Sequence, residues 1–204
     1  MRACWIDSGN DPDWVKVKAH EMTHLYFDLF DSRVRTSYLH NVTTRGYGVG
    51  VYVVTNWPQV AGQDGKTFAE TVSKQLGVVV PAVLGDVASF PKVQLDIEQH
   101  DPVFILEALK RWRELRPKRD TSWTFEGSQS GWMSPEFVAE VISRRVRLVP
   151  QLYNGAMTEV WDSLTEAREL VAAGFPDGLI SPFYDAAHLP VGWSGFAFTM
   201  GRLP

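Results

Sequence analysis

A short apolar segment of strand character recurs eight times within 204 residues, and helical patterns fill most of the intervals between the copies. This rhythm constrains the fold more than any other feature of the chain. The strand-like segments lie at residues 3–7, 24–28, 47–56, 92–98, 121–126, 147–153, 178–184 and 193–199. The clearest helical pattern runs over 101–116, where Asp101 supplies a cap and Pro102 fits the first turn. Phe104, Leu106, Leu109 and Trp112 then recur at helical spacing. Ser134-Pro135-Glu136 opens another helix by the same start chemistry, and the pattern over 164–173 stops at Gly174. Strands alternating with helices predict a parallel sheet. Eight such units in this length match the smallest (β/α)8 barrels, so one domain spanning 1–204 is expected. An open doubly wound sheet is the alternative, but no G-x-G-x-x-G or P-loop follows an early strand.

Side chains alternate faces along a strand, so each segment divides into two columns. Over 93–98, Val93, Leu95 and Ile97 oppose Gln94, Asp96 and Glu98. The aliphatic column is expected against the helices and the polar column inside the barrel. The second strand repeats the division, with Leu25, Phe27 and Leu29 against His24, Tyr26 and Asp28. In the fifth, Trp123 and Phe125 oppose Ser122, Thr124 and Glu126; in the sixth, Leu148, Pro150 and Leu152 oppose Val149, Gln151 and Tyr153. Barrel interiors are usually filled by branched apolar residues, and unpaired buried carboxylates are costly, so this polar column predicts a hydrogen-bonded or functional cluster. Polar groups also gather where the strands end: Asp7, Asp28, Asn56, Glu98, Glu126, Tyr153 and Asp185. Those ends form the catalytic face of such barrels. Gln151, Tyr184 and Trp193 join them as candidate substrate contacts, and Trp57 and Trp132 fall in loops where an exposed ring can stack on a sugar face.

The chain also contains His20-Glu21-Met22-Thr23-His24, which has the H-E-x-x-H pattern of zinc peptidases. That chemistry needs both histidines on one helix face, with the glutamate activating a zinc-bound water. In the barrel layout His20 ends the first helix and His24 begins the second strand, so a turn separates them. The pattern is expected to be coincidental and to bind no metal, with a zinc peptidase using His20, Glu21 and His24 kept as an alternative.

The net charge of −4 gives no general attraction to nucleic acid or to anionic membranes. The densest basic run, residues 110–119, falls at the end of a helix, where cations are favourable and a solvated face is expected. A single cysteine, Cys4, excludes an intrachain disulfide framework. No leader pattern follows Met1, and no apolar run approaches the ~18 residues of a membrane span.

Asp96 and Glu98 stand two apart on one strand, which places their Cα atoms ~6.5–7 Å apart on one face. Two neighbouring carboxylates resist double ionisation, so one is expected to stay protonated near neutral pH. A proton donor beside an anion is what cleavage of a glycosidic bond requires.

Here a family resemblance enters. KVQLDIEQ (92–99) resembles the fourth-strand D-x-E of (β/α)8 glycoside hydrolases, notably family 18 chitinases and family 25 lysozymes. PQLYNGAM (150–157) is similar to the sixth-strand segment of the chitinases, whose tyrosine lies beside the reacting sugar carbon. The resemblance implies Glu98 as the acid, with Asp96 and Tyr153 supporting the substrate's N-acetyl group as internal nucleophile. Trp193 loosely matches the chitinase tryptophan that floors the sugar site, and the lysozyme comparison adds Asp7. The chain departs from the full chitinase pattern D-x-x-D-x-D-x-E, carrying Pro91 and Gln94 in place of the first two aspartates. A third route pairs Glu98 with Glu126 or Asp185 as nucleophile, as in other retaining barrels.

These readings lead to a glycosidase-like barrel acting without a cofactor on a cell-wall or N-acetylated polysaccharide. A barrel that binds glycan without cleaving it is the alternative. A wall-directed hydrolase without a leader is typical of bacteriophage products, so a tail-associated role in the virion, with other phage tail proteins as partners, is a further expectation.

Overall fold

A computed structural model describes residues 1–6, 9–80, 91–98, 101–126, 133–151, 163–184, 191–192 and 194–197. Its strands are β1 (Arg2–Ile6), β2 (His24–Asp28), β3 (Gly48–Val54), β4 (Lys92–Asp96), β5 (Thr121–Glu126), β6 (Arg147–Gln151), β7 (Phe183–Tyr184) and β8 (Gly195–Ala197). They close into one barrel in sequence order, with every pair parallel and β1 joined to β8. The helices are α1 (Trp14–Ala19), α2 (Thr36–Thr44), α3 (Gly65–Val79), α4 (Pro102–Leu115), α5 (Pro135–Ser143) and α6 (Ser163–Ala172). Among the described residues, no helix is long and apolar enough to cross a membrane.

The helix starts follow their cap chemistry. Asp101 accepts the amide of Val103 ahead of Pro102, and Ser134 accepts that of Phe137 ahead of Pro135. Each side chain satisfies one of the amides that a first turn leaves without a partner. Asp13 and Asp64 cap α1 and α3 in the same way. After α6 the chain turns at Gly174, whose φ of +104° suits a residue without a Cβ.

Two hydrophobic layers result from the alternation of side chains. Leu25, Phe27, Val93, Leu95, Ile97, Trp123, Phe125 and Leu148 belong to the outer layer, which packs against Phe68, Leu76, Leu109, Trp112 and other helix residues. Cys4 is buried in this layer, and burial pushes its thiol pKa far up. The inner layer holds Ala3, Trp5, Tyr26, Tyr52, Val54, Val149, Phe183 and Phe196. The polar column is buried with it: Gln94, Asp96, Ser122, Thr124 and Gln151 are all shielded from solvent. The interior is therefore divided. Rings from β1, β2, β3, β7 and β8 fill one side, and polar groups of β4, β5 and β6 line the other.

Gly48 and Gly50 make room for this filling. A Cβ at Gly48 would lie 2.3 Å from the His24 ring, and one at Gly50 would lie 2.2 Å from the Tyr26 ring. The two glycines sit opposite those residues across the β2–β3 pairing. The missing side chains on β3 are volume taken up by rings on β2.

The seventh strand is shorter than the sequence predicts. Residues 177–179 form a 3-10 turn, Ile180 makes an isolated bridge to Leu148, and only Phe183–Tyr184 are strand. Pro182 has no amide to give to the ladder, which confines regular pairing to the residues after it. Similarly, β3 ends at Val54, so Asn56 lies beyond the strand.

The H-E-x-x-H segment does not form a helix. His20 is the C-terminal cap residue of α1, Glu21 has a left-handed φ of 51°, and His24 opens β2. Glu21 pairs with Arg2, and the His24 Nδ1 lies 3.0 Å from the Thr23 hydroxyl. The helical geometry that a zinc peptidase needs from His20, Glu21 and His24 is absent, because the turn at Glu21 ends the helix between the histidines.

Two outcomes are expected. Gly50→Ala should cost about 1–3 kcal/mol, the usual penalty of overpacking, read as a lower urea midpoint, and Tyr26→Leu in the same chain should restore part of it. An unchanged midpoint would mean that the space beside Tyr26 is not filled. The second outcome concerns His24, whose pKa is lowered to about 4 by burial and by the Lys92 ammonium. A lowered folded pKa means that the unfolded chain binds the proton first. Stability should thus rise between pH 4 and 6.5 and show no His24 contribution to the slope above that. Urea titrations across that window should be flatter for His24→Gln than for the parent.

Candidate active site

The carboxyl-terminal ends of the strands carry a polar cluster. Asp28, Asp96, Glu126 and Gln151 are the last residues of β2, β4, β5 and β6, while Asn56 and Glu98 lie two residues beyond β3 and β4. Pairing holds the backbone here on both sides. Asp96 is in register with Val54 and Thr124; the Thr55 amide donates to the Asp96 carbonyl at 3.0 Å, and the Ile97 amide donates to the Thr124 carbonyl at 3.0 Å. Backbone bonding to β5 therefore continues one residue past the end of β4, and Glu98 sits one residue beyond that anchorage.

The two carboxylates of β4 occupy different environments. Asp96 is 2% exposed, and its Oδ1 accepts a 3.3 Å hydrogen bond from Gln151 Nε2. Glu98 is partly exposed, and its Oε2 accepts from Asn56 Nδ2 at 3.1 Å. One carboxylate is thus enclosed by strand residues while the next inward position reaches the mouth. Asp28, also buried, accepts the Phe30 amide at 2.7 Å, which fixes the first residue of the loop after β2.

Beneath the carboxylates, Trp5 Nε1 donates to Gln94 Oε1 at 2.6 Å, and Gln94 Nε2 donates to the Thr124 hydroxyl. Trp5 stacks on Tyr52 at 4.0 Å and meets Phe183 edge-on at 4.9 Å. The Tyr52 hydroxyl donates to the Ile6 carbonyl at 3.2 Å. The interior polar atoms of Trp5, Gln94, Thr124 and Tyr52 thus all enter hydrogen bonds. Gln94, read from the sequence as a departure from a carboxylate pattern, has a definite task here. It accepts from an indole and donates to a hydroxyl, and an aspartate has no N–H to donate.

Two mouth loops are clamped together. Arg33 grips the Asp31 carboxylate through Nε and Nη2, and its Nη2 also donates to the Asn10 carbonyl at 3.1 Å. Asp31 Oδ2 accepts the Gly9 amide at 2.9 Å. The Arg33 hydrogen bonds, followed by the amides, hold the Asp31 carboxyl far below the usual carboxylate range. Asp31-Ser32-Arg33, a D-x-R just after a strand, is the sequence signal for this bidentate pair.

The remaining candidates are distributed unevenly. Trp57 is half-buried beside the mouth and packs on Tyr52 with ring centres 5.4 Å apart. Tyr184 is not brought to the mouth cluster: it is buried in the outer layer, while its neighbour Phe183 takes the inner position. The short strand after Pro182 sets this alternation. Glu126 is placed by its backbone at the end of β5, opposite Gln151. Asp7, Trp132, Tyr153, Asp185 and Trp193 lie outside the described residues. Among the described residues no group of three or more His, Cys, Asp or Glu side chains is arranged to hold a metal ion.

No protein-family model matches the chain, and no curated protein sequence matches it. Solved structures do. An endo-beta-N-acetylglucosaminidase from Cordyceps militaris superposes with a TM-score of 0.60 at 10% identity, covering 99% of this chain and 82% of that one. The same enzyme has been solved as a variant with an aspartate and a glutamate, two positions apart, replaced by their amides, in complex with fucosyl-N-acetylglucosamine-Asn. That structure matches with a TM-score of 0.55 at 8% identity over 99% and 82% of the two chains. An aldolase, QR15, matches with a TM-score of 0.55 at 8% identity over 100% and 91%, and a D-psicose 3-epimerase from Clostridium cellulolyticum H10, solved with D-tagatose, with 0.51 at 10% over 97% and 83%. At such identities the likeness establishes the fold: the chain is an eight-stranded parallel barrel of the kind these enzymes share.

Proposed function

We propose that this barrel acts on carbohydrate, cleaving a glycosidic bond of a cell-wall or N-acetylated polysaccharide, with Glu98 as general acid and Asp96 as its anionic neighbour. One observation carries the reading. Two carboxylates two residues apart, at the end of β4 and just beyond it, differ in exposure, Asp96 enclosed and bonded by Gln151, Glu98 at the mouth and bonded by Asn56. Glycoside cleavage needs a proton donor that reaches the leaving oxygen and a fixed negative charge that stabilises the developing cation. The exposed carboxyl suits the first role and the enclosed one the second. The amide replacements made two apart in the N-acetylglucosaminidase match this spacing and these residue types, which supports the reading.

Tyr153 completes the proposed catalytic set, with Asp28, Asn56, Gln151 and Trp57 as nearby sugar contacts. Asp7, Glu126, Asp185 and Trp193 stay in the proposal on their sequence positions. The proposed place of the chain in a phage tail rests on the sequence reading alone. A non-catalytic, glycan-binding barrel is the second reading. The observation favouring it is Gln94, which is committed to Trp5 and Thr124 where the chitinase pattern carries an aspartate.

Reducing-sugar assays on peptidoglycan, chitin and bacterial wall polysaccharides test the proposal. Glu98→Gln should lower turnover about 10²–10⁴-fold, the usual worth of general acid catalysis, while glycan binding persists because the amide keeps the shape of the protonated acid. Asp96→Asn should also slow turnover and move the basic limb of the pH–rate profile downward, since the neighbouring charge no longer raises the acid's pKa. Full activity in Glu98→Gln would overturn the assignment and direct attention to Glu126 and Asp185. The binding-only reading instead expects no turnover in the parent, with binding lost on Trp57→Ala or Trp193→Ala.

A further inference from the structure

The basic run at the end of α4 is only in part the solvated face that its position in the sequence predicts, since Lys110 and Lys118 are exposed but Arg113 and Arg119 are not. Arg113 turns inward, where Nε donates to the Arg144 carbonyl at 2.6 Å, Nη1 to the Arg119 carbonyl at 2.6 Å and Nη2 to the Arg145 carbonyl at 2.8 Å. One guanidinium thereby fastens the loop before β5 to the loop before β6. Arg119 is buried too, with Nη1 on the Pro91 carbonyl. A cleft of about 440 Å³ lies at this junction, at the amino-terminal end of the barrel and opposite the carboxylate mouth.

Its charged lining is lopsided. Arg113, Lys118, Arg119, Arg144 and Arg145 stand against one acid, Asp120, whose charge is already paired with Lys92 at 3.0 Å. The whole chain carries −4, so the charge outside this cleft is net negative. Concave sites lined by one sign of charge focus the field and concentrate counter-ions.

One further feature points to an occupant. Arg145 is exposed with a left-handed φ of 53°, at a helix-end position that glycine fills without strain. A cation stands there, its carbonyl held by Arg113. Arg144 is paired with Glu140, which leaves Lys118 and Arg145 as the exposed cations of the lining. An oxyanion in the cleft neutralises the excess charge.

We infer that this cleft is a binding site for a phosphate-class oxyanion carried as a monoester on a small molecule. The exposed Lys118 ammonium and Arg145 guanidinium suit such oxygens, and the volume suits a small ligand rather than a lone ion. A polyanion fits less well, since the chain outside the cleft is net negative. The inference is independent of the chemistry proposed at the mouth.

Calorimetric titration of the full chain with inorganic phosphate, glucose 6-phosphate and a short DNA duplex tests it. The monoester should bind one to one. Lys118→Ala and Arg145→Gly should each weaken it about tenfold or more, the usual effect of losing a hydrogen bond to a charged group. Arg145→Gly should meanwhile keep or raise the unfolding midpoint, because glycine accepts the left-handed backbone, so lost binding cannot be ascribed to misfolding. Inorganic phosphate binding with the same sensitivity to both substitutions also supports the site. Three results overturn it: no heat from either small anion at millimolar concentration, affinity unchanged in both variants, or duplex binding tighter than either small anion.

Discussion

A closed barrel of short strands must fill its own interior, and here one hydrogen bond joins the two materials that fill it. The Trp5 indole belongs to a cluster of stacked and edge-on rings, and Gln94 belongs to the polar wall of β4, β5 and β6. A buried indole N–H without an acceptor is costly, and so is a buried carboxamide that is only half satisfied. Each removes the other's penalty. Asp96 occupies the next inward position above Gln94, so the floor of the carboxylate site is as rigid as this contact. Gly48 and Gly50 belong to the same solution, since ring volume on β2 is accommodated only because β3 has none to add.

The mouth then acquires its asymmetry from strand length. β4 stops at Asp96 while backbone bonding continues one residue beyond, which leaves the first carboxyl among strand side chains and carries the second out to the loops. Asn56 arrives beside Glu98 by the same arithmetic, two residues past the end of β3. No special loop architecture is needed. Adjacent parallel strands bring their equivalent overhangs together.

The barrel was legible in the sequence because period-two segments and cap residues are local signals, and both operate here as local physics predicts. Asp101-Pro102 and Ser134-Pro135 begin helices, and Val93, Leu95 and Ile97 face them. What was not legible depends on partners far along the chain. Nothing near Gln94 announces that Trp5, 89 residues away, will require its oxygen. Nothing near Arg113 announces that three carbonyls will draw it inward, so a run of cations at a helix end passed for a solvated face. The seventh strand differs for a local reason: the apolar stretch over 178–184 suggests one long strand, but Pro182 interrupts the ladder, and Tyr184 turns to the outer layer.

The brevity of β7 also bears on how the site moves. Within the named strands, β6 and β7 meet at one register pair, Gln151 with Phe183, and Gln151 is the residue whose side chain holds Asp96. Regions with little backbone pairing are the first to open in local fluctuations. Whenever β7 lifts from β6, the backbone that carries Gln151 loses its neighbour on that side, and the Asp96 carboxylate loses part of its restraint in the same event. Among the described residues, the strand pair with the fewest register partners and the orientation of the enclosed Asp96 thus share one residue, so breathing of the wall is felt two strands away as a change in the company that acid keeps.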